Sequence, residues 1–289
     1  MVFPCFSPFM MDIGPHWHYN ISYMEVRFMR HYALIGEKLG HSLSAPIHQA
    51  IFQRLGIKAD YRLIEVPRED FSPTVSRLIQ EMDGINVTIP YKQDVMPLLE
   101  TIAPEALAIG AVNTVVKGRH ICGHNTDIYG FTAMLEHFGI DPAGQRCYVL
   151  GGGGTSKTAC AALARMGAKS VTVVSRRPQE GQINYQQLNE EFSGILVNTT
   201  PAGMLYQKDS CPIAESDLPG ILSRAQGVAD VIYNPPETPL TAAAKAAGVP
   251  ACTGLYMLIH QAVAAEALWQ ERSMPEDLTE TLMKELKLL

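Results

Sequence analysis

Four stretches of this chain place polar residues or glycines where packing alone would not. In INVTIPYK an apolar strand runs into Thr88, Pro90 and Lys92. Pro90 cannot continue a central strand, so Lys92 is carried on a stiff turn. A lysine is cationic at neutral pH and can supply both a proton and a positive neighbour to an oxygen that is gaining charge. In HNTDIYG, Asn125, Thr126 and Asp127 open a helix, where Asp127 serves either as its cap or as an acid or base. GEKLGHSLS sets Ser42 and Ser44 at a helix start, a place that favours a carboxylate, although Ser44 can equally be the cap of that helix with Pro46 in its first turn. The fourth stretch, GGGGTSKTACAALARMGA, follows the apolar CYVL, and strand, glycine turn and Ala-rich helix have the pattern of the first βα unit of a dinucleotide site, although such a loop can equally join strand to helix for packing alone. Gly151 and Gly153 permit the tight turn and a close backbone approach, and the helix start offers free N–H groups to a pyrophosphate. Ser156 takes the third, small position of the motif. The next strand, VTVV, runs into Ser175, Arg176 and Arg177 instead of the acid that holds ribose hydroxyls in NAD sites. Two guanidiniums suit a 2′-phosphate, which they can grip by charge-assisted forks, although without the glycine loop they would read as solvating a strand end.

Short apolar runs alternating with helical patterns must position these groups, and that alternation predicts an α/β fold with a mainly parallel sheet. Strands are expected at 31–35, YRLIEV, INVTI and AVNTVV. Helices are expected through Ile47, Ile51 and Leu55, stopped by Gly56, and from about Thr74 to Met82. A second series opens with CYVLG and continues through VTVVS, ILVNT and ADVIY to Thr253. A long helix with Met257, Val263 and Trp269 follows Leu255, and a last one starts near Pro275. Residues 1–30, broken by Pro4, Pro8 and Pro15, lack the plan of a signal peptide and are expected to be a leader without function.

Composition narrows the function classes. Apolar residues make 47% of the 289 and charged residues 18%, the balance of a globular chain able to bury one or two cores. A net charge of −6 is opposite in sign to what a phosphate-backbone binder carries, so no nucleic-acid partner is expected. Six cysteines without a CxxC pair signal neither a zinc site nor a disulfide framework, so no metal is expected and the reducing cytoplasm fits. No run has the roughly 18 apolar residues of a membrane span, so no membrane partner is expected either.

In combination and in order, HSLS, NVTIPYK, GAVNT, NTDIYG, GGGGTSK, NTTPAGM, VIYNPPETPL and GLYMLIHQA resemble the shikimate dehydrogenase family, from about Tyr32 to Trp269. The resemblance implies reduction of 3-dehydroshikimate to shikimate with NADPH, a step of chorismate and aromatic amino acid biosynthesis. It also implies a discontinuous substrate domain, 31–126 with 255–289, a Rossmann-type NADP domain at 127–254, and an active site in the cleft between them. Lys92 and Asp127 fall on the family's catalytic pair, and either could be the formal proton donor. Ser42 and Ser44 would meet the substrate carboxylate, with Tyr233 nearby. Thr88, Asn113, Asp127 and Gln261 would meet the ring hydroxyls. Gly151, Gly153, Gly154, Thr155 and Ser156 would hold the pyrophosphate, and Ser175, Arg176 and Arg177 would surround the 2′-phosphate. Thr199, Met204, Gly254 and Met257 would flank the adenosine and nicotinamide. The chain departs from the family pattern at Ala45, Gly152, Lys157 and Ser175, where proline, alanine, arginine and asparagine are frequent, and none of these departures removes a reacting group. A paralogue that also takes quinate and a silent NADP-binding regulator remain as other readings. The former would more often carry an acid at Arg176 or Arg177, and the intact Lys92 and Asp127 oppose the latter. A monomer or homodimer is expected.

Overall fold

The computed structural model describes residues 29–40 and 42–286. The expected leader therefore lies outside the described residues except for Met29 and Arg30, and Arg30 opens the first strand. The first half comprises β1 (Arg30–Gly36), α1 (Ser44–Leu55), β2 (Ala59–Glu65), α2 (Phe71–Glu81), β3 (Gly84–Val87), β4 (Thr101–Ile102), α3 (Pro104–Ile109), β5 (Thr114–Lys117), β6 (Ile121–His124) and α4 (Asp127–His137). The second comprises β7 (Arg146–Leu150), α5 (Gly154–Arg165), β8 (Ser170–Val174), α6 (Tyr185–Glu191), β9 (Gly194–Asn198), α7 (Leu218–Leu222), β10 (Ala225–Asp230), α8 (Pro239–Ala246), β11 (Ala251–Thr253), α9 (Leu255–Trp269) and α10 (Leu278–Glu285).

The strands form two sheets, ordered β2-β1-β3-β5-β6-β4 and β11-β10-β9-β7-β8. The second is parallel throughout. In the first, β5 runs antiparallel to both β3 and β6, while the other pairs are parallel. The α/β class expected from the alternation thus holds, with the second sheet doubly wound in the order 2-1-3-4-5 when its strands are counted from β7. Both sheets are covered on both faces, as parallel strands require. Along β1, Ala33 and Ile35 enter one core with Val75 and Ile85, whereas Tyr32 and Leu34 enter another with Phe52 and Trp269. Along β7, Cys147 and Val149 face α4, α5 and α9, and Tyr148 and Leu150 face the opposite layer with Leu188 and Leu240. This is the two-residue period of a strand buried on both sides.

Several expected boundaries shift for local reasons. Gly56 ends α1 in the left-handed conformation, as expected, but Ser44 is not its cap. Leu43 holds the cap position, and the Ser44 N–H donates to the Ser42 hydroxyl at 3.2 Å. The helix expected from Thr74 begins at Phe71 instead, placing Pro73 in its first turn. The strand expected over AVNTVV starts at Thr114, because the Val112 N–H is spent on the Lys92 carbonyl at 2.8 Å. The strand expected over ADVIY ends at Asp230, whose own carboxylate takes the Ile232 N–H.

Helices α4 and α9 lie against each other, and Gly130 sets their closeness. A Cβ built there would stand 2.5 Å from the Met257 carbonyl oxygen and 3.1 Å from Gln261 Cβ. We predict that Gly130→Ala destabilises the protein. The helix-propensity gain is about 1 kcal/mol, and overpacking against backbone costs about 1–3 kcal/mol or more. Chemical denaturation should show a lowered midpoint; an unchanged or raised midpoint would mean that the helices part at no cost.

Candidate active site

The carboxyl ends of strands from both sheets converge on one cleft of about 620 Å³. From the first sheet come Asn86 at the end of β3, the turn carrying Thr88, Ile89 and Lys92, and Asn113 just before β5. From the second come Thr199 and Thr200 after β9, Val231 to Asn234 after β10, and Gly254 with Met257 at the start of α9. Strands β8 and β9 flank β7 on opposite sides, so the chain reverses its winding direction beside β7, the place where open α/β sheets form a ligand crevice.

Lys92 is carried to the cleft on a turn held from below. The buried Tyr91 donates its hydroxyl to the Val66 carbonyl at 2.5 Å and stacks on Phe71. Asp127 is the first residue of α4, where a carboxylate is favoured by the free N–H groups. It is not the cap: Thr126 precedes it there, and Asn125 Oδ1 accepts the Ile128 N–H at 3.3 Å. The Asp127 side chain is therefore free for the cleft, and Lys92 Nζ donates to its Oδ2 at 2.5 Å. Asn113 Nδ2 donates to Asp127 Oδ1 at 2.9 Å and to Thr126 Oγ1 at 3.0 Å, while Asn113 Oδ1 accepts the Thr126 N–H at 2.6 Å. Gln261, brought alongside by α9, completes the cluster with its Oε1 3.4 Å from both Asn113 Nδ2 and Thr126 Oγ1. A cation and a carboxylate, each only slightly exposed, thus meet inside a polar shell that is nearly buried. Such a pair can exchange a proton with a bound oxygen and hold a hydroxyl beside it. Burial also pushes the phenol of the half-buried Tyr233 up.

The glycine turn after β7 leads into Thr155, which lines the cleft. Gly151 has φ +103°, and a Cβ there would stand 3.0 Å from the Thr199 hydroxyl, which itself donates to the Leu150 carbonyl at 2.6 Å. At Gly152, Gly153 and Gly154 a Cβ would meet nothing within 4 Å, so this turn opens onto empty space at the start of α5. Gly254 is constrained differently: a Cβ would fall 2.0 Å from the Val231 carbonyl oxygen, so the start of α9 rides directly on the chain after β10. Asp230, buried at the end of β10, ties two cleft loops together. It accepts from Asn198 Nδ2 at 3.0 Å, from the Ile232 N–H at 3.1 Å and from the Thr238 hydroxyl at 2.8 Å. Desolvation raises its carboxyl to about 6.

Of the residues singled out by sequence, Ser42, Ser44, Thr88, Lys92, Asn113, Asp127, Thr155, Thr199, Met204, Tyr233, Gly254, Met257 and Gln261 line the cleft. Gly151, Gly153, Gly154, Ser175, Arg176 and Arg177 lie beyond that lining, on the turns after β7 and β8. Arg176 and Arg177 are exposed, and among the described residues neither forms an ion pair. Ser156 is 2% exposed and its hydroxyl lies against Cys160, so its side chain faces into the helix packing. Sequence reading passed over Asn86 and Lys38, both of which line the cleft. Asn86 stands inside the NVTIPYK motif, and the two-residue strand period puts it on the same side as Thr88.

The profile of the shikimate dehydrogenase substrate binding domain matches residues 34–115. The shikimate dehydrogenase (NADP(+)) of Clostridium beijerinckii is 38% identical over 265 residues, 88% of this chain and 97% of the relative. Among solved structures, the chorismate mutase/shikimate 5-dehydrogenase fusion protein from Clostridium acetobutylicum superposes with a TM-score of 0.85 at 37% identity, covering 90% of this chain and 98% of that one. Shikimate 5-dehydrogenase from Thermus thermophilus, solved in complex with NADP(H) and shikimate, superposes with a TM-score of 0.79 at 29% identity, covering 90% of this chain and all of that one. With 38% identity over 88% of this chain and 97% of the relative, the chain belongs to the shikimate dehydrogenase family.

Proposed function

We propose that this chain catalyses the reversible, NADP-dependent reduction of 3-dehydroshikimate to shikimate, in the biosynthesis of chorismate and the aromatic amino acids. The observation that carries the reading is the Lys92–Asp127 contact within a cleft that opens toward the glycine turn. The residues present fit the cofactor: the open turn at Gly152 to Gly154 leaves room for a pyrophosphate, and Arg176 and Arg177 have no acid beside them to repel a further phosphate. When bound, NADPH supplies the hydride. Lys92 then delivers a proton to the oxygen that was the ketone and steadies its developing charge. Asp127 orients Lys92 and accepts a hydrogen bond from a ring hydroxyl. Thr88, Asn113 and Gln261 hold further hydroxyls, and Ser42 and Ser44, with Tyr233 nearby, hold the carboxylate. Gly151, Gly153, Gly154 and Thr155 form the pyrophosphate seat, with Ser156 offering only its backbone N–H because its side chain faces the helix packing, and Ser175 borders the 2′-phosphate. Thr199, Met204, Gly254 and Met257 flank the rest of the nucleotide.

The division of labour follows the two sheets, with 31–126 and 255–289 taking substrate and 127–254 taking NADP. The five described cysteines are free, which supports a reducing cytoplasmic setting, and no described helix is long and apolar enough to cross a membrane. The chain works as a monomer or homodimer on small-molecule partners. Purified protein mixed with shikimate and NADP should produce reduced nicotinamide absorbance, and 3-dehydroshikimate with NADPH should consume it. Turnover of quinate at a rate equal to that of shikimate would move the assignment to the broader paralogue, and no turnover of either would overturn it.

A further inference from the structure

Beneath the substrate side of the cleft lies a buried polar group that the reaction as derived does not use. His48, one turn beyond Ser44 on α1, and Glu266 on α9 are both fully buried and meet through His48 Nδ1 and Glu266 Oε1 at 2.6 Å. Glu266 Oε2 also accepts from Gln270 Nε2 at 3.0 Å, whereas His48 Nε2 has no partner among the described residues. The imidazole is stacked flat on Tyr61 of β2, centroids 4.0 Å apart and planes 7° from parallel. From this stack the Tyr61 hydroxyl donates to Asn86 Oδ1 at 2.7 Å, and the Ser44 hydroxyl lies against the same phenol. Tyr61 does not reach the cleft; Asn86 and Ser44 both do.

The hydrogen-bond inventory of Asn86 shows what this arrangement fixes. Its Nδ2 donates to the Asn113 carbonyl at 3.2 Å and to Thr114 Oγ1 at 3.0 Å, which uses both amide hydrogens. Tyr61 takes one lone pair of Oδ1, so the amide offers the cleft a single remaining acceptor. We infer that Tyr61, clamped by the His48–Glu266 pair, is a positioning residue: it holds the Asn86 amide so that an acceptor is aimed at a donor hydroxyl of the substrate, and it sets Ser44 from the same atom. This role rests on the substrate reading given above.

The test is Tyr61→Phe, which deletes one oxygen and keeps the ring stack. The variant should raise KM for shikimate about two- to tenfold, the change that loss of one net hydrogen bond produces. KM for NADP should stay within about twofold, since no nucleotide-side group is touched. A purely structural role would lower the melting temperature and leave both KM values alone, and that result, or an equal rise in both, overturns the inference. A crystal structure of the ligand-free variant gives a reading without substrate: a rotated or shifted Asn86 amide supports the role, and an unmoved one overturns it. Wild-type turnover of shikimate tests the substrate reading separately.

Discussion

Replacing Lys92 by alanine is expected to lower kcat roughly 10²- to 10⁴-fold, the usual contribution of a positioned acid or base. The prediction follows from the isolation of the group. Lys92 Nζ is 2.5 Å from Asp127 Oδ2, and the nearest polar groups around that carboxylate are amide and hydroxyl. Among the described residues that hydrogen-bond to that carboxylate through their side chains, only Lys92 can give a proton and a positive charge together. Substrate KM should change much less, because Thr88, Asn113 and Gln261 remain. Steady-state kinetics on a variant whose circular dichroism matches wild type decides the matter; near wild-type kcat would remove Lys92 from the chemistry. Asp127→Asn should weaken both kcat and KM, since the same carboxylate orients Lys92 and is read as a substrate contact.

The second large effect concerns the choice of nucleotide. Arg176 and Arg177 follow β8 after Ser175, are exposed, and have no acidic neighbour in sequence until Glu180. Arg177 is steadied by its N–H, which donates to the Ser175 hydroxyl at 3.2 Å, and the charge of Arg176 reaches the Tyr185 phenol. Hydrogen bonds to charged groups are worth about 1.5–3 kcal/mol, so loss of either guanidinium should weaken NADP about ten- to a hundredfold. NAD, which lacks the 2′-phosphate, should scarcely change. The measurement is kcat/KM for both nucleotides in wild type, Arg176→Ala and Arg177→Ala. Equal use of NAD and NADP by the wild type would sink the assignment, and parallel losses for both nucleotides would make the arginines supports of the loop.

What the sequence made legible follows the length and regularity of each signal. The β7–glycine–α5 unit was readable because CYVL, four glycines and an Ala-rich helix are each long enough to carry their own period. Lys92 and Asp127 were readable as chemistry-bearing residues, one on a turn and one at a helix start. Their meeting depends on β3 pairing with β5 and on α4 packing along α9, which no local pattern reports. Strands β4, β6 and β11, of two to four residues, and helices α3, α6 and α7, of five to seven, are shorter than the windows in which periodicity shows. Asn86 escaped notice because strand alternation marks a face without saying whether ligand or core lies on it. His48 and Glu266 were invisible for the opposite reason: each is charged or polar by type, and only the fold shows both at zero exposure, one on α1 and one on α9.

Helix α9 has a further implication for the order in which the molecule is completed. The indole of Trp269 stacks on Tyr32 with centroids 4.6 Å apart and donates to the Val115 carbonyl at 3.0 Å, while Ala265 closes the same core. Synthesis runs from Tyr32 toward Trp269, so the β1 face that holds Tyr32 and Leu34 is covered only in part, by Phe52 of α1, while all of β7 to β11 is made. Among the described residues, the outer core of the second sheet, with Leu150, Leu196 and Leu240, draws only on residues 148–251. The sheet that emerges first from the ribosome is therefore the last to receive its final side chains, and the fully assembled cleft exists only once nearly the whole polypeptide has been released.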